Sequence, residues 1–129
     1  MSQNVVIPTV KGLYLCEGHI GFSNQKTDLM AIFDGIRPSK YPYIHSQFIV
    51  YARLNQGLGK VPFYIEVRLA ASQQLVHVTK TNQLYFPDRD KLVEMVMTMK
   101  DVSFPKPGLY LVELHCDAQW VADTTLELL

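Results

Sequence analysis

The closing segment of the chain, residues 104–129, most narrowly limits what this sequence can fold into. It opens with Phe-Pro-Lys-Pro-Gly at 104–108, a pattern that can continue neither a helix nor a central strand. Two extended, β-favouring runs follow at 109–116 and 120–129, and a short polar turn at 117–119 separates them. The segment therefore predicts an antiparallel hairpin that closes a β domain.

The apolar pattern of this hairpin predicts an odd-numbered turn. One apolar face of the first strand ends in Leu114 and Cys116, and the matching face of the second strand begins with Trp120 and Ala122. A two-residue turn would put Trp120 on the wrong side of the sheet. We therefore expect a three-residue turn at 117–119, or an equivalent bulge, with Cys116 opposite Trp120 and Leu114 opposite Ala122.

The rest of the chain repeats this pattern of short extended runs and turns. Polar breaks, or breaks with Gly or Pro, recur roughly every 8 to 14 residues, which is typical of a sandwich or barrel. We expect the first ten residues to be loose or to form an edge strand. The remaining strands are predicted at 13–22, 29–33, 44–54, 61–69, 75–79, 84–86 and 93–99.

One segment, residues 88–100, has a competing interpretation as a helix. Asp88 or Asp90 could cap a helix there. However, the residues at 93, 95, 97 and 99 are all apolar and alternate with their neighbours, which favours a strand. We therefore predict one all-β domain over residues 1–129, a single antiparallel β-sandwich with little helix.

The two strongest strands, 44–54 and 61–69, flank a loop that contains two glycines. A hairpin closed by this loop would pair Ala52 with Phe63, and on its outer face Tyr51 with Tyr64 and Gln47 with Arg68. Both faces agree in this register, so we expect the two strands to be neighbours in one sheet. The residues predicted to face the core are Phe48, Val50, Ala52 and Leu54 in the first strand and Phe63, Ile65, Val67 and Leu69 in the second.

Composition argues against several classes of protein. Twelve Lys and Arg residues balance twelve Asp and Glu residues, and the basic residues are scattered, so no nucleic-acid partner is predicted. No apolar run approaches membrane-spanning length and no targeting segment is visible, so we expect no membrane association and a cytoplasmic location. A net charge of zero also favours an oligomer.

The cysteines and histidines suggest no metal site. Cys16 and Cys116 lie inside apolar strands far apart in the sequence, so we expect buried free thiols, with a disulfide as the alternative. Neighbouring strand residues point to opposite faces, so His115 and Cys116 cannot share an ion. We interpret the histidines as surface or rim residues, with His45 and His115 pointing outward, and predict no cofactor; the four are His19, His45, His77 and His115.

The loop Asp88-Arg89-Asp90 suggests calcium as an alternative, because C2-type sandwiches gather oxygen ligands on such loops. Calcium needs six to eight oxygens, so a second acidic residue such as Asp34 or Asp117 would have to join Asp88 and Asp90. The simpler interpretation is a solvated turn or a helix cap.

Catalytic motifs are absent from the sequence. It contains no Gly-x-Ser-x-Gly, no phosphate-binding glycine loop and no His-x-x-x-His, so we predict that the protein is not an enzyme. A small hydrolase or isomerase is a weaker third hypothesis, which a tight polar cluster in one cleft would support.

Apolar and aromatic residues on outward positions exceed what a sandwich needs. Such stripes indicate a covering segment, an oligomer interface or a partner site, and a Tyr beside an Arg is typical of interface anchors. Loops such as 37–43 could equally cover them. We predict that Ile49, Tyr51 and Tyr64 share one outer face and that Leu109, Leu111 and Val121 occupy another. The predicted interaction residues are Ile49, Tyr51, Arg53, Tyr64, Arg68, Leu109 and Leu111.

Three segments together carry a resemblance to a known family: Leu-Met-Ala-Ile-Phe-Asp-Gly-Ile at 29–36, Phe-Ile-Val-Tyr-Ala-Arg-Leu at 48–54, and the Phe-x-x-Pro-Gly-x-Tyr of the closing hairpin. Over residues 13–129 the chain resembles an uncharacterised bacterial family of small immunoglobulin-like β-sandwich proteins. The resemblance implies a stand-alone domain of bacterial or phage origin and brings no known activity, cofactor or site residue.

We therefore expect an immunoglobulin-like sandwich of about seven to nine strands, with Tyr110 packed near the Pro-Gly corner. The leading functional hypothesis is a non-catalytic protein-interaction or structural module that binds a protein partner or itself, as a homo-oligomer, through an outer sheet face. A calcium-dependent C2-like domain is the alternative.

Overall fold

Ten β-strands in two sheets make up this chain in a computed structural model that describes residues 4–24 and 26–129. No helix occurs among these residues, and hence none of them forms a helix able to cross a membrane. The strands are β1 (Thr9–Gly21), β2 (Thr27–Ile32), β3 (Gly35–Ile36), β4 (Tyr43–Asn55), β5 (Gly59–Leu69), β6 (Leu75–Val78), β7 (Asn82–Phe86), β8 (Val93–Phe104), β9 (Gly108–Cys116) and β10 (Gln119–Leu128).

One sheet has four strands in the order β2-β1-β4-β8, and the other has six, in the order β3-β10-β9-β5-β6 with β7 also paired to β5. All pairs are antiparallel except that of β3 with β10. The all-β, mainly antiparallel prediction is confirmed. The strand that sequence reasoning missed is β3, whose two residues are too short to show a pattern.

The described part of the N-terminal segment makes one backbone bridge before β1 begins. Residues 1–3 lie outside the described part, but Val6 exchanges backbone hydrogen bonds with Leu58 at 3.0 and 3.2 Å. β1 begins at Thr9 and lies between β2 and β4, so it is not an edge strand. The segment 88–100 is a strand from Val93 onward, as its alternation predicted.

The predicted hairpin between β4 and β5 is wrong, although its face assignments are right. β4 pairs with β1 and β8 in one sheet, and β5 pairs with β9, β6 and β7 in the other. The pairings of Tyr51 with Tyr64 and Gln47 with Arg68 are therefore wrong as well. All eight predicted inward residues are buried in one core cluster. Two strands that face each other across a sandwich need the same apolar alternation as two that pair, so the pattern could not separate the two arrangements.

The closing hairpin has a two-residue turn followed by a bulge. Asp117 and Ala118 adopt φ values of 50° and 62°, as in a type I′ turn, and Cys116 faces Gln119. The register then shifts between Trp120 and Ala122, which restores the predicted pairing of Ala122 with Leu114. The predicted pairing of Cys116 with Trp120 is wrong, because Trp120 precedes the shift and faces outward opposite His115.

Tyr110 ties the corner before β9 to the strand, as the sequence predicted. Its hydroxyl donates a hydrogen bond to the carbonyl of Lys106 at 2.6 Å, and its ring meets Phe104 edge-on at 5.1 Å between centroids. Gly108 follows the corner with φ at 143°, where a Cβ would lie 3.3 Å from Leu69 Cδ1, so only glycine fits there without strain. The Tyr110 side chain is fully buried, so this hydrogen bond is protected from water.

Replacing Tyr110 with Phe should lower the free energy of unfolding by about 1 kcal/mol, because the corner loses the hydrogen bond from the Tyr110 hydroxyl to the Lys106 carbonyl. Urea unfolding measures the change. Tyr41→Phe is the matched control, since it removes a hydroxyl bond to Leu129 that is exposed to solvent. Equal losses in both variants would contradict the importance of the corner.

Both cysteines are free and buried, as predicted. Burial and then the charge of Asp117 raise the pKa of the Cys116 thiol to about 11, and burial raises the pKa of Cys16 as well. At neutral pH the native protein should therefore react with Ellman's reagent far more slowly than a free thiol. Both thiols should react at once in denaturant, and rapid labelling of the native protein would contradict this burial.

Candidate functional site

The outer face of the six-stranded sheet presents its side chains in three rows across β5, β9 and β10. Paired residues on neighbouring strands share a face, so the strand register defines the rows. We call them the aromatic row, the acidic row and the mixed row. The aromatic row is Tyr64, His115 and Trp120; the acidic row is Glu66, Glu113 and Asp123; the mixed row is Arg68, Leu111 and Thr125.

The aromatic row is a stack of three rings centred on His115. Its imidazole lies parallel to the ring of Tyr64, at 4.9 Å between centroids and 5° between planes. Trp120 stacks on the other side at 6.3 Å and 29°. Trp120 keeps 52% of its surface exposed, so the row ends in a large aromatic ring open to solvent.

The acidic row contains the most unusual residue of the fold, a carboxylate on an outer face that is only 1% exposed. Glu113 Oε1 lies 2.9 Å from His115 Nε2 and accepts a bond from Arg68 Nε at 3.4 Å. Its other oxygen, Oε2, is buried and has no hydrogen-bond partner among the described residues. An unsatisfied buried acceptor costs on the order of 1–3 kcal/mol, so burying Glu113 in this way lowers the stability of the fold.

Glu66 completes a compact cluster with Glu113 and His115. Its Oε2 lies 3.5 Å from His115 Nε2 and 2.5 Å from Arg68 Nη2. Among residues 4–24 and 26–129, these three are the group whose ligand atoms, all within 4.8 Å of one another, could hold a metal ion. The hydrogen bond to Glu66, opposed by burial and aided by both carboxylate charges, raises the pKa of Arg68, which keeps the guanidinium charged.

The predicted interaction face splits between the two sheets. Tyr64, Arg68, Leu109 and Leu111 share the outer face just described, and Leu109 is 44% exposed. Ile49, Tyr51 and Arg53 belong to β4 in the other sheet. The prediction that Ile49, Tyr51 and Tyr64 share a face was therefore wrong, for the same reason as the predicted hairpin.

Tyr51 is 2% exposed and cannot contact a partner in this conformation. The β1–β2 hairpin covers it: His19 stacks on the ring at 5.7 Å, and Thr27 reaches across the face to donate a 2.5 Å bond to Glu94 Oε2. The same Glu94 oxygen accepts a bond from the Tyr51 hydroxyl. A covering segment therefore accounts for this apolar position, although it is not the loop 37–43 that the sequence suggested.

Among the residues that the structure describes, Asp88 and Asp90 are not part of a group of three metal-ligating side chains. Asp88 Oδ1 accepts bonds from the backbone amides of Asp90 and Lys91 at 2.9 and 3.0 Å, which is the geometry of a turn. Asp90 also lines a surface depression of about 450 Å³ with Arg53, Lys91, Leu92 and Glu94, two of which are basic. These residues favour the simpler interpretation of the loop.

Of the histidines, His115 points outward as predicted, but the same prediction for His45 is wrong. The His45 ring packs against Phe33 and Phe48, at 6.2 and 5.6 Å between centroids, and its Nε2 is buried. Burial also lowers the pKa of His77. Sequence reasoning tested His115 only against Cys116, and so missed Glu113, which is two residues away on the same face of the strand.

These features define a small two-sheet β-sandwich protein with a buried carboxylate on the outer face of one sheet. The chain belongs to a family of unknown function, DUF6941, whose family model matches residues 12–129. A search of curated proteins found no match to the sequence.

Replacing Glu94 with Gln should destabilise the fold at neutral pH. Burial opposes ionisation of Glu94, but the bonds from Thr27 and Tyr51 and the charges of Arg53 and His19 outweigh it, so its pKa lies below the ordinary 4.5. Because the pKa of Glu94 is lower in the folded than in the unfolded protein, its charge stabilises the fold at pH values above the unfolded-state pKa. This stabilisation is lost as the pH falls through the folded-state pKa. Glu94 is exposed, so the loss should stay below about 1 kcal/mol.

Urea unfolding of the wild type and Glu94→Gln at about pH 7 and about pH 3 measures this effect. The difference between the two proteins should shrink at the lower pH. Glu17→Gln, an exposed carboxylate on β1, is the control and should change stability little at either pH. A difference that is the same at both pH values would contradict the role of the Glu94 charge.

Proposed function

We propose that this protein is a non-catalytic interaction module with an immunoglobulin-like sandwich, and that it self-associates through the outer face of its six-stranded sheet. The observation that carries the proposal is the half-exposed Trp120, which stacks on His115, itself stacked on Tyr64, on the same outer face as Leu109 and Leu111. Large aromatic rings fixed by packing are the usual anchors of protein interfaces.

Strand order supports the immunoglobulin-like part of the proposal. The neighbours β1-β4-β8 in one sheet and β10-β9-β5 in the other match the orders A-B-E and G-F-C of that fold. Tyr110 lies near the start of β9, the counterpart of strand F, and bonds to the backbone a few residues upstream. This is the position and contact of the tyrosine corner in such domains.

The arrangement of the rows supports a second copy of this chain as the partner. A two-fold axis between the acidic row and the mixed row would place the acidic row of one copy opposite Arg68 of the other. The same axis would place the aromatic row opposite Leu109. The net charge of zero means that two copies do not repel each other as whole molecules.

The shape of the site favours binding over catalysis. Glu66, Glu113 and His115 lie on a sheet face, whereas chemistry on a small substrate is usually carried out in a concave pocket. The two free thiols are compatible with the reducing cytoplasm that the proposal takes as the location, and the bacterial origin rests on the family resemblance alone.

Light scattering over a roughly hundredfold range of concentration tests self-association. We expect a dimer that dissociates on dilution. Trp120→Ala and Leu109→Asp should each weaken it at least about tenfold, because they remove an anchor or put a charge into the contact. Both side chains are exposed, so the fold should survive, as circular dichroism can verify.

Tyr14→Ala is the matched control, because Tyr14 is 44% exposed but lies on β1 in the other sheet. It should leave the association unchanged. A wild-type protein that is monomeric at every concentration, or a Tyr14 variant that dissociates like the Trp120 variant, would overturn the proposed interface.

A further inference from the structure

We propose that Glu66, Glu113 and His115 form a binding site for a divalent transition-metal ion, with zinc as the best match to their chemistry. The three ligands come from one chain, so the site does not depend on self-association. The failure of either proposal would leave the other standing.

The distances within the cluster suit one ion. In a tetrahedral zinc site, metal–ligand distances of about 2.1 Å place neighbouring ligand atoms about 3.4 Å apart. His115 Nε2 lies 2.9 Å from Glu113 Oε1 and 3.5 Å from Glu66 Oε2. Shifts of a few tenths of an ångström would bring these two distances to the required spacing, and one ligand atom of each residue lies within 4.8 Å of those of the other two.

The unpartnered oxygen of Glu113 is the second observation that points to a cation. Glu113 is 1% exposed, and its buried Oε2 has no hydrogen-bond partner among the described residues. Carboxylates so deeply buried normally have partners for both oxygens. A metal ion bound to this carboxylate would satisfy the group that the protein alone leaves unpaired.

The charge of the surface leads to the same conclusion. Glu66, Glu113 and Asp123 stand side by side across three strands, and like charges in this position repel one another. Arg68 supplies one positive charge, so two negative charges are left when His115 is neutral. A divalent ion balances this excess, and Arg68 would hold the ligand carboxylates in place from outside.

The ligand types select the metal. An imidazole with two carboxylates suits zinc and its neighbours in the transition series, whereas calcium and magnesium prefer shells made only of oxygen. His115 would bind through Nε2, with its proton on Nδ1. Three protein ligands leave one zinc position on the outer face for water or a further donor.

A protonated His115 is the alternative source of positive charge. It would neutralise only one of the two excess charges, and because His115 Nε2 lies beside Oε1 of Glu113 it would leave Oε2 unpartnered. A divalent ion bound by both oxygens of the Glu113 carboxylate would balance both charges and would also pair Oε2.

Trp120 provides a built-in reporter, because it is the one tryptophan of the chain and its ring lies 6.3 Å from His115. Untagged, chelator-treated protein is titrated with Co²⁺, which quenches tryptophan fluorescence at short range. We expect quenching that saturates at one equivalent and is reversed by Zn²⁺. Zn²⁺ alone should raise the melting temperature in proportion to its binding.

Glu66→Gln and Glu113→Gln should each weaken binding at least about tenfold, since a neutral amide is a poor ligand for these ions. Glu66 is partly exposed, so its variant should fold even if the Glu113 variant does not. Glu127→Gln on β10 and His19→Gln on the other sheet are controls that should bind like the wild type.

Three outcomes would overturn the proposal. They are no saturable quenching up to about millimolar metal, equal affinity in the wild type and Glu66→Gln, and binding that is lost with His19→Gln but kept with Glu66→Gln.

Discussion

The inner faces of β4 and β5 pack together in one core and hold the two sheets against each other. From Phe48 to Leu54 in β4 and from Val61 to Leu69 in β5, every second side chain is apolar and buried in the same cluster. Because β4 is the second strand from the edge of its sheet and β5 is internal to the other, these faces fix how the two sheets lie. The other strands lie on either side of these two within their sheets. Tyr110 and Gly108 fix where β9 enters the core.

The same alternation determines which side chains lie on the outer faces, and these faces differ between the two sheets. In the four-stranded sheet the β1–β2 hairpin bends over Tyr51, so an aromatic residue on an outer position is buried within the chain. In the six-stranded sheet the outer face keeps Trp120 and Leu109 exposed and holds a buried carboxylate between them. Arg68 and His115 both hydrogen-bond to Glu113 there, so the three polar side chains hold one another in place.

Sequence reasoning succeeded where the information was local and failed where it depended on which strands are neighbours. The alternation of Phe63, Ile65 and Val67 correctly predicted a buried face, but it could not identify the partner strand. The sequence predicted either a three-residue turn or a bulge, and a bulge is present. It lies after Trp120 and not before it, so the Trp120 ring points outward and not into the core.

The polar cluster shows the same limit. The spacing of Glu113 and His115, two residues apart on one strand, was visible in the sequence and indicates a shared face. The contribution of Glu66 was not visible, because it depends on the pairing of β5 with β9. The burial of a carboxylate on an outer face runs against the usual exposure of Glu, and no sequence pattern predicts it.

We propose that copies of this protein associate through the outer face of the six-stranded sheet. Nuclear magnetic resonance spectra of labelled protein, recorded at low and at high concentration, resolve the individual residues that take part. We expect the Trp120 indole signal and the signals of Tyr64, Leu109 and Leu111 to shift with concentration, while those of β1 and β2 stay fixed. Shifts confined to the four-stranded sheet, or no shifts at any concentration, would rule out this face as the interface.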